Sequence, residues 1–195
     1  LICCFISTIQ MYGENIQRPE SENYVKGVEA LNEGNPEAAY TYLNAEINEH
    51  PDNGYAHCYM ALICNFCNDT KLALQALNSS LELIPEADTE YRSFAHYSRG
   101  VLLTNLKMWE RAEADLNEAI RLNPEDVENY KSRAQLYFET ERYEESLNDL
   151  TRALKLDSKA DVNDLVLQLM AVAPTSEFME RITATYQQLD QVTIH

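Results

Sequence analysis

The sequence predicts an all-α protein built from repeated antiparallel helix hairpins, and three observations carry that expectation. Its 195 residues include only five Gly and six Pro, so little interrupts the stretches rich in Ala, Leu, Glu and Asn that favour helix. A hydrophobic share of 45% against 24% charged residues is too apolar for a disordered chain. The third observation is a repeat with a period of 34 residues.

The repeat shows first in its endings. YLNAEINEHPDN, ALNSSLELIPEA and DLNEAIRLNPED close alike on Pro51, Pro85 and Pro124, and DLTRALKLDSKA has the same shape with Ser158 in the proline's place. Pro51 to Pro85 and Pro124 to Ser158 are each 34 residues apart, whereas Pro85 to Pro124 is 39, which leaves five inserted residues. The frame is therefore 20–53, 54–87, 93–126 and 127–160, with a helical insertion at 88–92.

Within that frame, position 8 holds Gly27, Ala61, Gly100 and Ala134, and position 20 holds Ala39, Ala73, Ala112 and Ser146. Small side chains at both places let the two helix axes of a hairpin approach to about 8–10 Å. Position 24 holds Leu43, Leu77, Leu116 and Leu150 as the filling apolar residue. Position 27 holds Ser80, Ala119 and Ala153, with Glu46 as an exception. The proline at position 32 cannot continue a helix and turns the chain into the next unit.

This pattern resembles the tetratricopeptide repeat over residues 20–160. The resemblance implies a right-handed α-solenoid of antiparallel helix hairpins, a TPR-like superhelix, whose first helices line a concave face and whose second helices form the convex one. Departures fall mostly on the first helices. Lys26, Arg99 and Arg133 stand where the family usually has a large apolar residue, and Asn23, His57 and His96 replace its Trp-type position.

The insertion 88–92 lacks Gly and Pro, and Asp88 or Thr89 is a suitable N-cap. The helix should begin about one turn early and protrude there. Residues 161–195 read as capping helices or a degenerate fifth repeat. Val162, Leu165, Leu169 and Val172 form one apolar stripe, Pro174 is a stop, and Phe178, Ile182, Tyr186 and Leu189 form a second stripe. One hairpin buries too little surface alone, so stacking and caps are needed.

Residues 1–13, beginning LICCFISTI, read as the remnant of a signal peptide, followed by a linker at 14–19. That reading predicts export to the bacterial periplasm or cell envelope, with a cytoplasmic location as the alternative. Cys3 and Cys4 fit a lipidation box poorly. Elsewhere no stretch reaches the length of a membrane span.

Cys58, Cys64 and Cys67 are an odd set on one predicted helix, so they are expected to act as small hydrophobes and not as a disulfide or metal framework. No cofactor or metal is expected. The formal net charge of −17 excludes a nucleic-acid partner, which would need clustered Lys and Arg. Residues 1–90 carry about 14 carboxylates against three basic groups, so a partner should be basic or neutral rather than acidic.

No nucleophile–base order, phosphate loop or metal motif is present, so the chain is expected not to be an enzyme. The expectation is a non-catalytic scaffold that takes a protein or peptide partner in its concave groove. The alternatives are a regulatory or targeting module of a larger polypeptide and, less favoured, a groove for a small molecule or glycan.

The resemblance places Tyr24, Val28 and Asn32 of the first repeat on the groove, with Tyr55, Leu62, Asn65 and Phe66 of the second. It adds Phe94, Tyr97 and Asn105 of the third, and Lys131, Gln135 and Phe138 of the fourth. Tyr55, Phe66, Phe94 and Tyr97 are the expected anchoring cluster, since rings give contact area at low entropy cost and amides can bind a peptide backbone. Some family members clamp acidic C-terminal tails with Lys, Asn and Arg. Both registers place other residues there, Tyr24, Val28, Tyr59, Phe94 and Ser98 in one, so no such tail is expected to bind.

Overall fold

The computed structural model describes residues 16–172 and 175–193. The apolar run 1–13 and Pro174 lie outside the described residues, and so do the side chains of Tyr186 and Leu189. Among the described residues the chain is helical throughout. Its helices are α1 (Glu22–Asn32), α2 (Pro36–Glu49), α3 (Gly54–Phe66), α4 (Thr70–Leu83), α5 (Thr89–Asn105), α6 (Trp109–Leu122), α7 (Val127–Glu139), α8 (Tyr143–Leu156), α9 (Asn163–Val172) and α10 (Ser176–Thr193).

Two compact units divide the chain between Leu102 and Leu103, within α5. In the first unit α1 packs on α2 and α3 on α4, each pair a hairpin, and α2 also packs on α3. In the second, α7 packs on α8, α6 on α7, and α9 on both α8 and α10.

Each second helix stops where a proline, or Ser158 after α8, stands two residues beyond its last turn. The start is set differently in the two units. Asn35 and Asp69 cap α2 and α4 by accepting bonds from the amides of Ala38 and Leu72, whereas Met108 and Arg142 precede α6 and α8 with no side-chain cap.

One backbone feature repeats with the period. Position 15 of the frame holds Gly34, Asn68, Lys107 and Glu141, and all four are left-handed, with φ of 72°, 58°, 57° and 60°. The amide of each donates three residues back, and the next amide donates five back, as in Asn35 to Ala30 and Met108 to Leu103. Those are the paired bonds of a Schellman motif, which satisfy carbonyls at the end of each first helix. Only Gly34 adopts that φ without steric cost.

Close approach is visible at position 8. A Cβ on Gly27 would lie 2.7 Å from Leu43 Cγ and 2.8 Å from its Cδ2, and Leu43 is fully buried. The wall facing Gly27 is thus the position-24 leucine. In the fourth repeat positions 20 and 8 do meet: Ser146 Oγ donates to the Ala134 carbonyl at 2.8 Å. Gly27→Ala is expected to destabilise the first unit by about 1–3 kcal/mol through overpacking, against the small gain in helix propensity. Chemical denaturation of the two proteins checks this, and an unchanged midpoint would show that Leu43 yields freely.

The insertion corrects one expectation. Helix α5 does start at Thr89, with the Tyr91 amide donating to Asp88 Oδ1 at 3.3 Å. The expected protruding turn instead faces inward, for Asp88 is 1% and Tyr91 5% exposed. Polar partners from other elements make that burial tolerable, as described below.

The C-terminal stripes behave mostly as their spacing implies. Val162, Leu165, Leu169, Phe178 and Ile182 are buried in one cluster with Leu147, Leu150 and Leu154 of α8. Val172, expected on the same stripe, is exposed. It is the last residue of α9.

Candidate functional site

The first helices carry the side chains of interest, and in the first unit many of them are already engaged. Tyr55 at the start of α3 donates to Asp88 Oδ2 at 3.0 Å, and its ring stands edge-on to Tyr91 at 4.8 Å. The hydroxyls of Tyr59 and Tyr91 are 2.8 Å apart, and Tyr24 of α1 packs its ring 6.1 Å from that of Tyr59. Arg18, from the non-helical segment before α1, pairs with Asp88 and Glu90 and lies 4.6 Å from the Tyr91 ring centroid.

Burial pushes the phenols of Tyr24, Tyr55, Tyr59 and Tyr91 above their ordinary range, since a phenolate there would lose its hydration. At Arg18 burial works against the charge, but hydrogen bonds to Asp88 and Glu90 overcome it and the guanidinium is held more firmly. A folded-state pKa above the unfolded value near about 10 contributes stability that is intact below that pH and lost as pH rises through it. The thermal midpoint of the first unit should therefore be flat from neutral pH to about 9 and fall above about 10. Tyrosinate absorbance followed during the same titration should show these four phenols ionising only as helicity is lost. Ionisation with the helices intact would contradict the assigned burial.

The thiols are hydrophobic filling, as expected for two of the three. Cys58 and Cys64 are buried, and burial pushes the Cys58 thiol up to about 12, whereas Cys67 is exposed.

The expected groove residues are distributed unevenly. Tyr24 and Tyr55 belong to the buried core. Val28, Leu62 and Phe94 are partly buried against that core, and Phe94 stacks on Tyr97 with centroids 6.4 Å apart. Asn32, Asn65 and Asn105 are exposed, and Phe66 is 64% exposed at the end of α3. Tyr55 is engaged with Tyr91 and Asp88, while Phe66 stands in solvent, so these two do not share one surface. The engagement of Tyr55 by Asp88 and Tyr91 escaped the reading of the sequence because the frame counts 88–92 as an interruption. The legible signal was an N-capping Asp followed by Tyr at its third position.

In the second unit two of the expected residues border a cavity. Lys131 and Gln135 of α7 border a cleft of about 190 Å³ with Leu150 of α8 and with Asp161, Val162, Asp164, Leu165 and Gln168 at and before α9. Its floor is apolar, with Leu150, Val162 and Leu165 buried, and its rim is polar, with Asp161, Asp164 and Gln168 exposed. Lys131 Nζ is 2.8 Å from Glu128, and Gln135 donates to Glu139 at 2.9 Å. Phe138 packs partly buried beside Tyr143, with centroids 5.7 Å apart. Pockets for cofactors or drug-sized ligands run to roughly 300–1,000 Å³, so this cleft has the size for a side chain of an extended segment.

The basic residues that depart from the family pattern have partners. Arg133 grips Asp149 through Nε and Nη2 at 2.7 and 2.8 Å and reaches Asn117 at 2.6 Å. Arg99 reaches Asn78 at 2.8 Å in the equivalent way. Lys26 lies 5.8 Å from the Tyr42 ring. Positions 7 and 23 thus face each other within a hairpin in the first and fourth repeats, and in the second the same positions hold the buried Met60 and Ala76.

Comparison with known proteins agrees with this architecture. Sequence models of the tetratricopeptide repeat match residues 93–126 and 127–159. A curated relative, a lipoprotein NlpI homolog of Haemophilus influenzae, is 30% identical over 87 residues, covering 45% of this chain and 28% of that protein. The chain spans only about a quarter of the length of the curated relatives it matches. Among solved structures, MamA from Desulfovibrio magneticus RS-1 superposes with a TM-score of 0.70 at 19% identity, covering 87% of this chain and 94% of that one. YrrB, described as a TPR protein with an unusual peptide-binding site, gives 0.63 at 20% identity over 75% and 73% of the two chains. The shared fold is an α-solenoid of helix hairpins. No helix among the described residues is long and apolar enough to cross a membrane.

Proposed function

Because this chain is a tetratricopeptide-repeat protein, we propose that it is a non-catalytic interaction scaffold that holds an extended peptide or a helix of a partner protein on its first-helix faces. The observation that carries the reading is the cleft beside α7, where Lys131 and Gln135 meet an apolar floor and a carboxylate rim. An extended peptide would place one apolar side chain on Leu150, Val162 and Leu165 and a basic neighbour against Asp161 and Asp164. The net charge of −17 favours the same partner, basic or neutral rather than acidic. Exposed amides at Asn32, Asn65 and Asn105 and the exposed ring of Phe66 offer further contacts of the same kind.

The likeness to a bacterial lipoprotein supports a place at the cell envelope. The greater length of the curated relatives favours a second reading, in which these repeats are a regulatory or targeting module within a larger polypeptide.

A crosslinking pull-down comparing the wild type with Gln135→Ala/Asp164→Ala tests the groove directly. Gln135 and Asp164 border the cleft without filling the core, so the variant should keep its helicity. At least one partner should be lost or strongly reduced. Equal recovery of every partner from a folded variant would dismiss the cleft as the binding site.

A further inference from the structure

We infer that Tyr55, Asp88, Glu90 and Tyr91 form an arginine-binding site, occupied in this structure by the chain's own Arg18, that accepts an arginine of an extended partner peptide in its place. The site lies in the first unit and does not depend on the cleft beside α7, so either can fail alone.

Three observations support it. Arg18 belongs to residues 16–21, which have no regular secondary structure, yet its guanidinium is held by two carboxylates and a ring. Nε and Nη2 reach Asp88 at 3.2 and 3.3 Å, Nη2 reaches Glu90 at 2.9 Å, and the group lies over the Tyr91 ring. A two-nitrogen grip on one carboxylate plus a ring beneath is recognition suited to a planar guanidinium and poorly suited to an ammonium.

The walls are also built without Arg18. Asp88 is fixed by the Tyr55 hydroxyl and the Tyr91 amide, and Tyr91 is fixed by the Tyr59 hydroxyl and the Tyr55 ring. The Tyr91 amide bond is local to the start of α5 and the other three contacts join α3 to it, so the site survives departure of its occupant. Charge supplies the third observation. Arg18 is one of about three basic groups against about 14 carboxylates in residues 1–90, so a competing arginine would meet an attractive surface around the site.

An occupant tethered in the same chain has a local concentration in the millimolar range, which a partner must exceed. Removing the tethered side chain should therefore expose the site to a peptide in solution. The probe is a blocked hexapeptide of residues 16–21, titrated into full-length Arg18→Ala protein and followed by amide NMR shifts, which detect millimolar binding. Saturable shifts at Tyr55 and Asp88–Tyr91 are expected, about tenfold weaker or more in the wild type, where Arg18 competes. A peptide carrying Lys in place of Arg should bind about tenfold more weakly.

Asp88→Asn/Glu90→Gln in the Arg18→Ala background keeps an N-capping side chain and removes both charges, so binding should disappear. Arg18→Gln serves if the alanine variant loses helicity. Absence of shifts in a folded variant, equal shifts in wild type and variant, or indifference to Arg versus Lys would each overturn the assignment.

Discussion

Leu116→Ala is expected to cost the second unit about 2–5 kcal/mol, the range of buried large-to-small changes that leave a cavity. Leu116 is fully buried in α6, as are Ala112 and Ala119 one turn to either side. The side chains of both neighbours end at Cβ, so neither can swing in to refill the space. The cost should accordingly sit toward the upper part of the range. Leu106, 43% exposed in the turn before α6, is the control, and its replacement by Ala should change little. Urea unfolding of the three proteins decides it: a loss below about 1 kcal/mol at Leu116 would show that the helices close over the gap.

Asp149→Ala is the second large effect. It removes the carboxylate that Arg133 grips at two points, with only 9% and 19% of the two side chains exposed, and leaves a cation half enclosed by the rings of Tyr130 and Tyr137. Removing one partner of a fully buried pair costs about 3–5 kcal/mol, and the residual exposure of Arg133 brings the expected loss to about 2–4. The double variant Arg133→Met/Asp149→Ala should recover most of it, because it installs the apolar pair that stands buried at the same two positions of the second repeat, Met60 and Ala76. A double-mutant cycle measured by denaturation would show strong coupling. Additive losses would mean that the bidentate contact contributes nothing beyond its two side chains.

The hairpins were legible because their causes are local and periodic. Gly27, Ala39 and Leu43 recur as Ala134, Ser146 and Leu150 in the fourth repeat, and side-chain size at those places is enough to predict which helices nest. Lys26, Arg99 and Arg133 looked like departures from the pattern, since a frame scored on hydrophobicity has no column for an ion pair that replaces an apolar contact. Their partners at positions 23 and 25 become visible only when the two helices face each other.

The two units differ in where they place the residues expected on the groove. Lys131 and Gln135 border the cleft because groove positions on α7 meet α9 there. Tyr24 and Tyr55 occupy groove positions of the frame, but both are buried, and the five extra residues bring Asp88 and Tyr91 inward to engage Tyr55. An insertion displaces the downstream frame by its own length, but its five residues have no counterpart in the other repeats, so no period shows where their side chains point.

The four left-handed turns have a consequence for how the chain can vary. Gly, Asn, Lys and Glu occupy the same backbone geometry, so the bend follows from the seating of the helices on either side and not from the residue at its apex. Lys107 and Glu141, both exposed, are therefore places where a label, a spacer or a new charge can be grafted while the hairpin angle stays as it is. Exchanging either for Gly would relieve local strain and tighten the fold.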